Sequence, residues 1–600
     1  MSGKREQPAG RTRLYRAALA LSLVLASFTL AFAQPNDDLT VLQQDPGQWL
    51  MPNRTYSGWN YSPLDQITRY NVKNLQVAWT FQIGVTDQIE AAPLVVGTTM
   101  YILTPKPNTL YALDLNQQGY IKWSFAPEMP GLAQAKACCG ANSRGFMYAD
   151  GKIIFNTLDG QLFALDANTG AVIWTTQVAD LSLTETTTMS PLVAGHNVIV
   201  GVEGGERGIR GHVSAYDLDT GAQVWKFYNM GPDEEMGIGP DFKPFYPTPD
   251  SPGTSTWYGD SWKTGGGAVW GWFTFDPESN LFYYGTGNCA PWNPDYRRDP
   301  ATAPGLDQYT NAYCASEMAR DATTGNLVWA YQATPQDAWD YDLPAGQQLV
   351  DLTIDGQTRR ALMKPARNGF FYVWDAHTGE LLHQPIKYTT VTWADHVDME
   401  TGMPVYNDDA IVYTGTETGV VCPFGIGNWH NTTYSPKTGL IYFQAYNTCS
   451  TMTGTEGEYT PGESYVLETF GARSTGPGGW TAQIQAWDPA TGEQAWNIKS
   501  NQSLSWPIMS TAGDLVFGGD NQGAFRALDA ETGELLWSFR TGSGFDASPI
   551  SFRGTDGRQY IAVIGSKAPA NSVVTADTAP DNTGRYTRPG STLYVFGLPR

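Results

Sequence analysis

Along this chain, short apolar runs alternate with a fixed polar punctuation, and the punctuation repeats. An apolar strand leads into Asp-x-x-x-Gly, and a second strand follows with an aromatic ring four residues beyond the glycine. Asp166 to Gly170 leads to Trp174, Asp217 to Gly221 leads to Trp225, and Asp321 to Gly325 leads to Trp329. The unit returns at Asp488 to Trp496 and Asp529 to Trp537, in looser form at Asp114 to Trp123, and at Asp375 with His383 in the tryptophan's place. An Asp at the start of a turn accepts from backbone amides just ahead of it, and Gly supplies the positive φ of a tight corner. Each unit therefore predicts an antiparallel hairpin with an aromatic anchor.

The segment Val77-Ala-Trp79-Thr-Phe-Gln-Ile-Gly84 has the second strand of such a unit without the first, and the last apolar strand, Ser591 to Phe596, supplies its neighbour. Trp79, Trp123, Trp174, Trp225, Trp329, His383, Trp496 and Trp537 mark eight units. The predicted fold is all-β: one eight-bladed β-propeller of four-stranded antiparallel blades over residues 34–600, its ring closed by the N- and C-terminal strands. The intervals from Trp225 to Trp329 and from His383 to Trp496 hold long loops, and long loops in compact domains tend to be functional.

Composition changes this picture little. A chain of 600 residues suggests about four ordinary domains, unless a repeat spreads one domain over the whole length. Aromatic content of 13%, 64 glycines and only 16% charged residues suit short strands joined by tight turns. The net charge of -22 excludes a nucleic-acid binder, which needs a basic surface, and favours small neutral substrates and a basic protein partner.

Residues 1–33 read as a signal peptide. Lys4, Arg5, Arg11, Arg13 and Arg16 precede the apolar run Ala17 to Phe32, and Ala31-Phe32-Ala33 gives a small-x-small site before Gln34. The run is shorter than the roughly 20 residues of a membrane span. The expectation is export to the periplasm, with no membrane span after cleavage and a mature charge of -26, since the segment removed carries five basic residues and Glu6.

Export permits disulfides, and the six cysteines are even in number. Cys138 and Cys139 are adjacent and form either a strained ring or two separate thiols. The simplest pairing of the rest joins Cys289 to Cys314 and Cys422 to Cys449, although spacing alone leaves other connectivities open. No Cys-x-x-Cys-His occurs, so no c-type haem is attached.

Candidate chemistry centres on Gln336 to Asp342, Gln-Asp-Ala-Trp-Asp-Tyr-Asp, with three carboxylates and two aromatic rings in seven residues. Residues two apart in an extended or turning segment project the same way, so Asp340 and Asp342 aim at one point. Alone, Asp-Tyr-Asp most often reads as a solvated turn. Its company is Glu90, Cys138-Cys139, Arg144, Thr188, the glycine-rich Gly201 to Gly211 with Gly204, Gly205 and Glu206, then Trp270, Asn288, Arg367 and Asn428. The hard oxygens of Glu206, Asn288, Asp340 and Asp342 suit a hard cation such as calcium.

In that order these loops resemble the pyrroloquinoline quinone (PQQ) dependent alcohol dehydrogenases, the methanol and ethanol dehydrogenase group, over essentially the whole mature chain. The resemblance implies that Glu90 and Arg144 bind the quinone, that Cys138 and Cys139 form a vicinal disulfide on one cofactor face, and that Trp270 stacks on the other. It implies further cofactor contacts at Thr188, Gly204, Gly205 and Asn428. Glu206 and Asn288 fall at metal ligands, Asp340 at the catalytic base, and Arg367 at the partner of the quinone carbonyl. Members that use lanthanides resemble this chain in an extra Asp two residues beyond the base, here Asp342. With Glu206 and Asp340 it would set three negative charges around one ion, which a trivalent cation balances and calcium does not.

These roles also make chemical sense. A quinone accepts hydride more readily when a cation and an arginine polarise its carbonyl. An alcohol losing hydride must also lose its hydroxyl proton, so a carboxylate within reach serves as base. A nearby cation keeps that carboxylate ionised.

The chain departs from its relatives in three places. Tyr388 to Asp395 resembles the propeller half of quinohaemoproteins, yet no haem domain follows, so electrons are expected to pass to a separate soluble cytochrome c. A Trp-rich loop of some relatives is replaced by Gly565 to Asn571, and the Cys289 to Cys314 insertion directly follows a metal ligand. Two rivals remain: a non-catalytic propeller scaffold for protein binding, and a PQQ-dependent aldehyde or sugar oxidoreductase. The sequence leaves open which alcohol is the substrate, and whether the chain works alone or as a homodimer.

Overall fold

The tryptophans that mark the repeat are also what joins one blade to the next. In the computed structural model, which describes residues 1–3, 35–138, 140–244, 249–301, 308–424, 429–501, 506–567, 587–588 and 590–600, the rings of Trp79, Trp123, Trp174, Trp225, Trp329 and Trp496 lie on the turn glycine of the following blade, whereas Gly492, the glycine after His383, meets Ile386 instead. A Cβ on Gly170 would sit 2.6 Å from the Trp123 ring, and one on Gly325 would sit 2.6 Å from Trp225. The indole N–H then completes the joint. Trp174 Nε1 donates to Leu218 O at 2.9 Å, Trp329 Nε1 to Ala376 O at 2.8 Å, and Trp496 Nε1 to Ala530 O at 3.0 Å. His383 does the same work: its Nε2 lies 3.0 Å from Pro489 O. Trp225 is the exception, its Nε1 having no hydrogen-bond partner among the described residues.

Eight antiparallel sheets stand around the ring. A representative blade runs Met147–Ala149, Lys152–Asn156, Gln161–Asp166, Val172–Gln177, successive strands pairing antiparallel with a register shift between Val172 and Trp174. Closure is as the sequence predicts: Gln76–Gln82 pairs antiparallel with Thr592–Gly597, the last strand of the chain. Two blades carry an extra edge strand in parallel pairing, Ile238–Pro244 against the Trp329 strand of one and the buried Tyr61–Ser62 against the first strand, Ile508–Thr511, of the other. Inner strands such as Thr99–Leu103 and Leu281–Gly285 are buried throughout, whereas Gln76–Gln82 alternates exposed and half-buried positions, as a strand at the rim must.

The two long intervals build the end of the ring where the candidate residues gather. Cys289–Cys314 and Cys422–Cys449 are both disulfide-bonded, the pairings expected from the sequence. Beyond Cys449 the chain folds into an arm, Met452–Gly454 paired with Glu468–Phe470, rooted by Thr448–Cys449 against Ser474–Thr475. The arm reaches across the ring: Tyr465 N donates to Glu206 O at 2.7 Å, Arg207 Nη1 to Gly462 O at 3.1 Å, and Trp292 N to Val466 O at 3.0 Å. Among the described residues no helix is long and apolar enough to cross a membrane. Nearly all of the expected signal segment lies outside the described residues.

Candidate active site

Glu90 and Arg144 meet first. Arg144 Nε lies 3.1 Å from Glu90 Oε2, with side chains 3% and 1% exposed. Arg144 Nη1 donates to Thr188 Oγ1 at 2.6 Å, and Arg144 N donates to Thr188 O at 2.8 Å. The guanidinium lies against two indoles, its Cζ 4.7 Å from the Trp270 ring centroid and 5.5 Å from that of Trp429. Four residues predicted from separate loops, Glu90, Arg144, Thr188 and Trp270, thus form one wall of the site.

The acid loop forms the opposite wall, and its sequence alternates anchors with carboxylates. Trp339 and Tyr341 are buried; Trp339 Nε1 donates to Ala410 O at 2.9 Å and the Tyr341 hydroxyl to Pro423 O at 2.8 Å. Asp337 is a brace, its Oδ1 accepting from Trp339 N at 3.1 Å and from Tyr341 N at 3.1 Å. With both rings turned into the protein, Asp340 and Asp342 face the site, and Asp340 takes a φ of 61°, a left-handed conformation uncommon outside glycine. Such strain marks a position over-determined by its surroundings.

Arg367 spans the two aspartates. Its Nη2 is 2.7 Å from Asp340 Oδ2 and its Nη1 is 3.0 Å from Asp342 Oδ2. The other oxygens are disposed differently. Asp342 Oδ1 accepts from Asn288 N, whereas Asp340 Oδ1 is buried without a hydrogen-bond partner among the described residues. Burial raises the Asp340 carboxyl well above its ordinary range, and the charges of Asp342, Glu206 and Asp337 add to this against the opposing pull of Arg367. Burial lifts Asp342 to about 7, again against Arg367. Burial works against a charged Arg367, but the two aspartates outweigh it and hold the guanidinium above its usual value.

Glu206 and Asn288 approach from the glycine-rich side. Asn288 Nδ2 donates to Cys289 O at 2.9 Å, and its Oδ1 lies so close to Gly205 that an added Cβ there would be 2.7 Å away. A Cβ on Gly287 would sit 2.9 Å from Asp342 Oδ1. Gly204, with a φ of 136°, lets the chain turn under Thr184 O. Among the described residues no three His, Cys, Asp or Glu side chains close into a ready-made metal cage. The reason lies in the donors: Arg367 draws one oxygen of each aspartate to itself, and one predicted ligand, Asn288, is an amide. The set nonetheless suits a hard cation, because it is all oxygen and Asp340 Oδ1 is a buried acceptor with no donor.

Two predicted residues, Cys139 and Asn428, lie outside the described residues, and with Cys139 the vicinal disulfide; Cys138 is exposed. Three residues that matter here were given no role of their own by the sequence. Glu203 is buried near Arg144, its carboxyl raised by burial and restrained by that arginine's charge. Asp337 looks in sequence like its two functional neighbours, and only its backbone partners reveal it as a brace. Arg473, on the arm, lies within electrostatic range of Asp340 and Arg367.

Comparison with known proteins agrees with this geometry. The profile of the PQQ family described as "Glucose/ethanol/alcohol dehydrogenase, beta-propeller domain" matches residues 49–404 and 500–561. The chain belongs to this family. A lanthanide-dependent methanol dehydrogenase of Methylacidiphilum fumariolicum (strain SolV) is 41% identical over 96% of this chain and 95% of its own. Subunit 1 of a methanol dehydrogenase [cytochrome c] of Paracoccus denitrificans is 38% identical over 91% of this chain and 87% of its own. A solved europium-containing methanol dehydrogenase superposes with a TM-score of 0.88 at 39% identity, covering 94% of this chain and 100% of that one. This member of the family is a PQQ-dependent alcohol dehydrogenase, and its eight blades are those of the methanol dehydrogenase fold.

Proposed function

We propose that this quinoprotein oxidises an alcohol to an aldehyde or ketone in the periplasm, with Asp340 as the base, and passes the electrons to a separate cytochrome c. The observation that carries the reading is the split environment of Asp340: Oδ2 is held by Arg367 at 2.7 Å, while Oδ1 is buried without a partner among the described residues. When bound, PQQ supplies the hydride acceptor and a metal ion supplies Lewis acidity. Glu206, Asn288 Oδ1, Asp340 and Asp342 would hold the metal, and Glu90, Arg144, Thr188 and Trp270 would hold and orient the quinone, with Gly204, Gly205, Cys138, Cys139 and Asn428 as further contacts.

Asp340 Oδ1 takes the hydroxyl proton of the alcohol, while Arg367 fixes the carboxylate's orientation and offers positive charge where negative charge develops. The buried Trp339 and Tyr341 keep the loop from turning its acids to solvent, and the arm over Glu206 limits water at the reacting atoms. Around the ion, Glu206, Asp340 and Asp342 present three carboxylates, which favours a trivalent lanthanide over calcium on charge balance. The relative from M. fumariolicum is named as lanthanide-dependent, which supports the same choice. The acidic surface suits a basic cytochrome c, and the basic-then-apolar stretch before Gln34 suits export.

The test is reconstitution of apo protein with PQQ plus lanthanum or calcium, assayed on an alcohol panel with an artificial electron acceptor. Alcohol oxidation that requires both PQQ and a metal supports the reading. Full activity with a nicotinamide and no quinone overturns it.

A further inference from the structure

Arg473 stands on the arm, between the strand Glu468–Phe470 and the short strand Ser474–Thr475. Its position over the acid loop follows from a chain of contacts. The Tyr341 hydroxyl donates to Pro423 O at 2.8 Å, the next residue is Phe424, and the Arg473 Cζ lies 5.0 Å from the Phe424 ring centroid. Phe470 packs on Phe424 with ring centroids 5.2 Å apart, and Trp292 packs on Phe470 at 5.7 Å. The guanidinium is thus set in an aromatic frame, within electrostatic range of Asp340.

Among the described residues Arg473 makes no salt bridge, and its Nη1 is buried without a hydrogen-bond partner. Its charged neighbours are Arg367 and Asp340, with burial and Arg367 disfavouring its charge and Asp340 supporting it. Arg367 already occupies one oxygen of each aspartate, Asp340 Oδ2 and Asp342 Oδ2. Arginine does not give up its proton in a protein, so a half-buried guanidinium with one buried, unpartnered nitrogen is a site for an anion.

We infer that Arg473 is a substrate-binding residue that recognises the carboxylate of a hydroxycarboxylate, so that the mouth of this site selects alcohols carrying a remote acid group. The inference rests on the alcohol dehydrogenase reading and deepens it. The carboxylate is a handle only: the bonds that break are the carbinol C–H and O–H, as for any alcohol at this site. Phe424, Phe470 and Trp292 would cover the methylenes between handle and carbinol.

The experiment compares ω-hydroxycarboxylates with 1-alkanols of equal chain length on the reconstituted holoenzyme, for wild type, Arg473→Gln and Arg473→Lys. The readout is the ratio of kcat/KM within each pair. A charge-assisted contact predicts a ratio of about 10 to 100 in favour of the acid at the fitting chain length, expressed mainly in KM and shrinking with added salt. Arg473→Gln should bring the ratio to about one, and Arg473→Lys should keep part of it. A wild-type ratio of one or less at every length, or a preference that survives Arg473→Gln, overturns the assignment. If neither series is oxidised, the alcohol dehydrogenase reading falls, and this assignment with it.

Discussion

Arg144 and Glu90 form an ion pair 3.1 Å long from which water is almost wholly excluded. Removing one partner of such a pair strands the other as a buried charge, at a cost of about 3–5 kcal/mol, whereas removing both is far milder. Glu90→Leu alone should therefore destabilise the protein by about 3 kcal/mol or more, and the double variant Glu90→Leu, Arg144→Met by clearly less than the sum of the singles. Chemical denaturation of the four proteins checks this. Additive losses would mean that the pair does not couple. Equilibrium dialysis on the folded variants should also show PQQ affinity reduced at least tenfold, if both residues hold the quinone as proposed.

The joints between blades predict a graded effect on folding. Gly170 and Gly151 have nearly the same φ, 74° and 72°, but a Cβ on Gly170 would strike the Trp123 ring at 2.6 Å while one on Gly151 would meet nothing within 4 Å. Gly151→Ala bears only the left-handed backbone cost, about 1–2 kcal/mol. Gly170→Ala adds overpacking of about 1–3 kcal/mol. Thermal melts should show the larger fall in Tm for Gly170→Ala. Equal falls would show that the indole does not rest on the glycine.

That repeat is the part of the molecule most openly written in the sequence. Asp, Gly and Trp at fixed spacing each answer a local need, a turn acceptor, a positive φ and an interblade ring, so eight blades and the closing pair Gln76–Gln82 with Thr592–Gly597 were legible without coordinates. His383 shows why the pattern survives substitution: what the joint needs is a ring with a polar nitrogen, and imidazole supplies both. The site was legible where residue types are chemically unusual together, as at Asp340, Asp342 and Arg367. It was not legible at Arg473 or Glu203, since their meaning depends on partners in other blades. Asp337 escaped for the opposite reason, because a brace and a ligand look alike until the backbone is folded.

Cation binding should depend on pH in a definite direction. Burial lifts Asp342 to about 7, above its ordinary 3.8. A raised carboxyl pKa favours folding at pH below the ordinary value, and that contribution is lost as pH climbs toward 7. A cation competes for the same oxygens, so its stabilising effect must grow over that window and level off above it. Lanthanum-induced shifts in Tm, measured from about pH 4 to 8, should rise through the window, with affinity gaining up to about tenfold per pH unit for each proton released. A shift independent of pH would contradict the assignment of Asp342 to the metal.

The choice of metal rests on the same residue. With Asp342 present, lanthanum should give a higher kcat than calcium in the PQQ-loaded enzyme. In Asp342→Ala the charge around the ion falls by one, and lanthanum should lose its advantage. Parallel reconstitution with each metal checks this, and higher wild-type activity with calcium would remove Asp342 from the ion's surroundings.

The central claim is that Asp340 removes the proton, and the measurement that bears on it most directly is the turnover of Asp340→Asn. The amide keeps the size and the hydrogen-bonding reach of the side chain but lacks the basic oxygen, and general bases act on a scale of about 100-fold or more. PQQ and metal content are quantified first, because the same residue is assigned to the ion, and kcat is then expressed per loaded site. The account predicts a folded, loaded enzyme whose kcat has fallen at least about 100-fold. Near-normal turnover in that loaded variant would contradict it and place the base elsewhere.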